Sequence, residues 1–201
     1  MDDLGVLQAL RLKGRAPESD VASTLNADPG EVHAAIEQLV RAGLVTPGAM
    51  LALSPDGRGR LRDLLADERS SVDASAMAAT YAQFRSVNAD FKALITDWQL
   101  RDGRPNDHTD PCYDDAVLAR LGPVHDEVLR IVADAAAQVP RLANYGAKLT
   151  TAWERVRAGD HAWLVRPLAD SYHTVWFELH EELIGVAGLS RQDEARAGYA
   201  D

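Results

Sequence analysis

Apolar residues recur at helical spacing along most of the chain, broken by short polar segments that carry capping residues. Val21, Ala22 and Leu25 form a short helical pattern, and after Asn26 a longer one follows at Val32, Ala35, Ile36, Leu39 and Val40. The second helix has a strong start: Asp28 as N-cap, Pro29 at the first helical position, where its missing N–H costs nothing, and Glu31 three residues past the cap. Its end is predicted near Ala42-Gly43, where glycine can turn left-handed. Two short helices across a tight turn make a helix-turn-helix pattern, with the Pro29 helix as the groove-reading element. Residues 44–46 then predict a strand, 47–49 a turn and 50–53 a return strand, and Ser54-Pro55 starts another helix, SPDGRGRLRDLLADER.

The rest reads as helices. Met77, Tyr81, Phe84, Val87, Phe91, Leu94 and Trp98 follow one another at intervals of four or three, predicting a helix over residues 75–100 that packs along a partner helix. This stripe, with Phe84 and Phe91 as anchors, is the expected homodimer surface. A loop is predicted over residues 101–110. Asp110-Pro111 starts a helix that Gly122-Pro123 should kink or divide and Pro140 should end. A helix over 141–157 and a long one over 160–187, bent at Pro167, complete the pattern, and the polar tail after Ser190 is expected to be loose.

The RAGLV run from Arg41 to Val45, the hairpin, and LSPDGR from Leu53 to Arg58 resemble the winged helix-turn-helix domain of MarR-like bacterial regulators, over roughly the first third of the chain. The fold class that follows is mainly α. Residues 1–70 form a winged helix-turn-helix with a short β-hairpin, residues 71–190 a helical bundle for dimerisation and effector sensing, and residues 191–201 the tail. The resemblance implies a transcriptional regulator that binds double-stranded DNA as a homodimer. Lys13, Arg15, Arg58 and Arg60 would then lie at the phosphates, and His33, Gln38 and Arg41 at the groove.

Charge complicates that expectation. The chain carries a formal charge of −10, and residues 1–70 hold eight basic against eleven acidic side chains. DNA affinity depends on neutralising phosphates, so a reading face would have to concentrate its arginines, yet the start of the predicted reading helix has none. Winged helices also serve as protein-interaction modules. The alternative is therefore a non-DNA-binding adaptor or regulatory subunit that docks a protein through the acidic winged helix. An acidic recognition face with scattered arginines would favour it.

Candidate chemistry concentrates in residues 170–184, where His173, Trp176, Phe177, His180, Glu181 and Ile184 share one helical face. Tyr172, His173, Trp176, Phe177 and His180, joined by Trp98 or Trp153, would line a pocket for a small-molecule effector; alternatively they form a closed core. An enzyme using His173, His180 and Glu181 is a third reading. The two histidines stand roughly 10 Å apart on a helix, too far to share a metal ion unaided, and the chain has no HExxH motif or cysteine pair, so no metal or cofactor is expected. The lone Cys112 sits among Asp110, Asp114 and Asp115, which would deactivate a thiolate. With neither an apolar run of membrane length nor a positively charged N-terminal leader, the expectation is a cytoplasmic protein without a membrane partner.

Overall fold

The computed structural model describes residues 2–167, 169–189 and 191–196. The protein is mainly helical with two small antiparallel sheets, and it divides into two compact units, Met1–Val72 and Asp73–Asp201.

The first unit runs α1 (Asp3–Lys13), α2 (Glu18–Leu25), α3 (Pro29–Arg41), β1 (Val45–Thr46), β2 (Ala52–Leu53) and α4 (Pro55–Ser70). Asp28 caps α3 by accepting from the amides of Gly30 at 2.9 Å and Glu31 at 3.1 Å, and Pro29 opens the helix. At its other end Gly43 takes a φ of 74°, and the Leu44 amide turns back to the Leu39 carbonyl at 2.9 Å. Val45 then pairs with Leu53 and Thr46 with Ala52. Ala16, in the α1–α2 link, exchanges both backbone bonds with Leu51, at 3.1 and 2.8 Å, and so adds a third rung to the hairpin. A single residue between Arg15 and Pro17 has no alternation to betray it. Val6, Leu7, Leu10, Val21, Val32, Ile36, Leu39, Val45 and Leu61 are buried together as the core of this unit.

One junction fixes the geometry. Ser54 caps α4 through the Gly57 amide at 2.9 Å and donates its hydroxyl to the Gly43 carbonyl at 2.7 Å, while its own amide bonds Leu44 O at 3.0 Å. The first turn of α4 thereby lies on the backbone of Leu44, and a Cβ on Gly57 would overlap the Leu44 carbonyl. Glycine in LSPDGR is a requirement of close approach.

The second unit runs α5 (Ala74–Gln99), β3 (Leu100–Arg101), β4 (Arg104–Pro105), α6 (Pro111–Ala119), α7 (Leu121–Gln138), a 3-10 turn (Pro140–Leu142), α8 (Ala143–Arg157), α9 (Ala162–Val165), α10 (Tyr172–Val186) and α11 (Arg191–Arg196). Several expectations change. Residues 101–110 do not form a plain loop. Asp102 and Gly103, at φ 52° and 75°, turn β3 into β4, a short hairpin that the Asp-Gly pair signals. The chain divides at Arg120, just ahead of Gly122-Pro123, because proline fits the first turn of α7. The helix expected over 160–187 is broken around Pro167 into α9 and α10, with Ser171 capping α10. The tail begins as α11, whose Glu194 is buried; residues 197–201 lie outside those described.

The α5 stripe is consumed within its own unit. Phe84 and Phe91 are 0% and 1% exposed, and both pack on Trp176 of α10. They cannot anchor a homodimer while this packing stands. Apolar α5 residues at four-three spacing do meet a partner helix, but it belongs to the same chain.

The Gly57 junction makes a contrast within one helix. Gly57→Ala should destabilise the first unit by about 1–3 kcal/mol or more. Gly59→Ala, whose Cβ would meet only the flexible end of Arg62 at 3.8 Å, an ordinary contact distance, should be neutral or stabilise by up to about 1 kcal/mol. Urea unfolding followed by circular dichroism measures both; equal effects would remove the close-approach explanation.

Candidate functional site

The exposed face of α3 carries Glu31, His33, Ala34, Glu37, Gln38 and Arg41, because Val32, Ile36 and Leu39 point into the core. Its two basic side chains are already engaged. His33 bonds Glu18 of α2 through Nδ1 at 2.9 Å and faces Glu37 through Nε2 at 3.8 Å, and Arg41 reaches Glu37 at 3.5 Å. The hydrogen bond and charge of Glu18, with Glu37 behind it, raise the His33 pKa above its ordinary 6.5. All these groups are exposed, so the pairs contribute little to stability, but they set the field of the face.

Beside α3 stands the hairpin. Its turn, Thr46-Pro47-Gly48-Ala49-Met50, is exposed, holds no charged side chain, and leaves Met50 49% exposed. Between the turn and α3 lies an open groove of about 270 Å³, floored by Ile36, Val40 and Leu51 and rimmed by Glu18, Glu37 and Arg41. His33, Gln38 and Arg41, the groove-readers expected from the sequence, all lie on the exposed face, but with Glu18 and Glu37 among them. Arg58 folds back to donate to the Leu53 carbonyl at 2.9 Å, securing the return strand to α4. Arg15 and Arg60 are exposed and Lys13 half-buried. The acidity of this face is anticipated by the alternative reading; the uncharged turn is a signal not used there, visible in the sequence as the absence of any cation in residues 42–57.

The aromatic residues of the second unit pack on one another. Trp176 stacks on Phe91 at 4.2 Å between ring centres and donates its indole N–H to Asn88 at 2.8 Å. Tyr172 meets His125 at 3.2 Å, and His125 stacks on Trp153 at 4.4 Å. His180 lies 3.1 Å from the Tyr81 hydroxyl, which donates to Glu194 at 2.7 Å; Arg85 completes the pair with Glu194. Trp98 packs on His108 instead, the rings tilted and their centres 4.3 Å apart. His173 and Phe177 lie on the outer side of α10, both exposed, with the His173 ring beside Phe91. The proposed pocket residues therefore fall into several contacts, and the His173 and His180 rings meet different residues of α5. Burial pushes the His125 pKa down and the Tyr81 and Tyr172 values up, as it must for neutral groups held away from water, and the packing around the base of the exposed His173 lowers its pKa as well.

A second buried cluster joins α8 to α10. Lys148 pairs with Asp170 at 3.2 Å and Glu178 at 3.3 Å, and Arg141 with Glu182 at 2.7 Å. At the hairpin end Asp114, buried, accepts from Asn106 at 2.9 Å and faces His108 Nδ1 at 3.0 Å; Cys112 is exposed. Among the described residues no group of three His, Cys, Asp or Glu side chains is arranged to hold a metal ion, and no helix is long and apolar enough to cross a membrane. No protein-family model matches the chain, and no match was found among curated proteins or solved structures.

The His33 geometry sets a pH dependence. A folded-state pKa above 6.5 means that the contribution of the Glu18 pairing is present below pH 6.5 and is lost as the pH rises through the raised value. NMR titration of the His33 ring should give a pKa above 6.5 that returns towards 6.5 in Glu18→Gln with Glu37→Gln. A wild-type value at or below 6.5 would contradict the pairing.

Proposed function

We propose that the chain is an adaptor or regulatory subunit whose first unit is a winged helix that docks a protein through α3 and the hairpin turn, with the second unit as a helical scaffold. Three helices, a hairpin and a following helix, with the Ala16–Leu51 rung beside the hairpin, support the winged-helix assignment. The observation that carries the function is the character of the α3–wing surface: its cations are paired to Glu18 and Glu37, and its turn is apolar. A phosphate approaching this face would meet carboxylates and would have to displace them from Arg41 and His33. A basic protein surface meets complementary charge and an apolar patch instead.

DNA reading by a homodimer, with a small-molecule effector in the helical unit, is the second proposal. The helix-turn-helix order and the exposed Arg15 and Arg60 favour it. Binding to labelled genomic duplexes at low salt separates the two. The docking reading expects affinity no greater than that of an unrelated acidic protein. A salt-dependent affinity that falls with a log–log slope of several, and that Arg41→Ala with Arg60→Ala reduces by about two, would establish DNA binding and overturn it.

A further inference from the structure

We propose that the groove between α3 and the wing receives one large apolar side chain of a protein partner, with a lysine or arginine of the same segment held at the Glu18–Glu37 rim. The inference rests on the docking reading and specifies its partner. At about 270 Å³ the groove lies just under the roughly 300 Å³ at which small-molecule sites begin, so a side chain suits it better than a metabolite. Its floor is hydrophobic: Ile36 and Leu51 are 2% and 3% exposed, with Val40 half-buried beside them. The wall is Pro47 of the uncharged turn, which also carries the exposed Met50. An apolar group entering there would bury area against both helix and wing.

The rim selects what accompanies it. The rim carries Glu18 and Glu37 against one Arg41, which reaches Glu37, so while His33 is neutral the rim holds an excess negative charge. That favours a cation and disfavours an acidic segment. A second copy of this chain, with formal charge −10, complements it poorly. His33 lies against both carboxylates, so its protonation supplies an internal cation that competes with the partner's; binding should weaken on acidification.

Three small probes test the groove on the full-length protein by ¹⁵N–¹H NMR: acetyl-leucyl-arginine amide, acetyl-glycyl-arginine amide and acetyl-leucyl-glutamate amide. The first should shift the signals of Ile36, Val40 and Leu51 saturably at millimolar concentration. The glycyl probe should bind about tenfold more weakly for want of the apolar group. The glutamate probe should bind about two- to fivefold more weakly, the effect of an exposed charge pair. Glu37→Lys, at a position 55% exposed and therefore tolerant of change, should abolish the preference for arginine over glutamate while leaving the spectrum folded. Equal binding of the three probes, or shifts mapping elsewhere, would overturn the groove proposal and leave the docking reading standing. Duplex binding in the assay above would overturn both.

Discussion

At Gly57 the first turn of α4 lies so close to the Leu44 carbonyl that no side chain fits between them. The surface formed by α3 and the hairpin depends on this approach. Ser54 holds it from both sides, capping α4 with its hydroxyl oxygen and donating the same hydroxyl to Gly43 at the end of α3. The end of α3, the two strands and the start of α4 are thereby one connected piece of hydrogen-bonded backbone. The hairpin cannot tilt away from α3 without breaking these bonds. That is why a turn of only five residues can form one wall of a groove whose other wall is a helix.

A different constraint organises the second unit. α10 is buried around most of its circumference, yet it carries Glu178, His180 and Glu182. Each needs a partner, because an ionised or polar group taken from water without one is costly. Lys148, Tyr81 and Arg141 supply these partners from α8, α5 and the 3-10 turn, while Asn88 satisfies the Trp176 indole. Buried ion pairs add little net stability over apolar packing. Removing one partner is expensive, however, so they penalise shifted helix registers. The histidines and tryptophans that suggest chemistry in the sequence have structural partners here.

How much was legible follows from what each signal encodes. The Asp28-Pro29 and Ser54-Pro55 starts are local, and both helices begin there. The four-three stripe of α5 revealed a buried face but could not say whose helix covers it, since an intramolecular partner and a second subunit impose the same periodicity. On α10, spacing groups His173 and Phe177 with Trp176, but on a helix buried on most sides these two lie on the exposed remainder while Trp176 enters the core. The Ala16–Leu51 rung involves one residue and carries no pattern. The acidity of the first unit was readable from composition; that Glu18 reaches across from α2 to engage His33 required the tertiary structure.

The central claim is that the α3–wing surface meets a protein rather than DNA. A photo-crosslinking residue in place of Met50, in the uncharged hairpin turn, reports directly on what touches that surface in cell extract. The account predicts adducts to a protein segment bearing lysine or arginine beside a large apolar residue, lost when Glu37 is changed to lysine, and far fewer adducts from the same crosslinker at the exposed Ala133 of α7. Adducts to DNA, or protein adducts at Met50 no more abundant than at Ala133 and indifferent to Glu37→Lys, would contradict it.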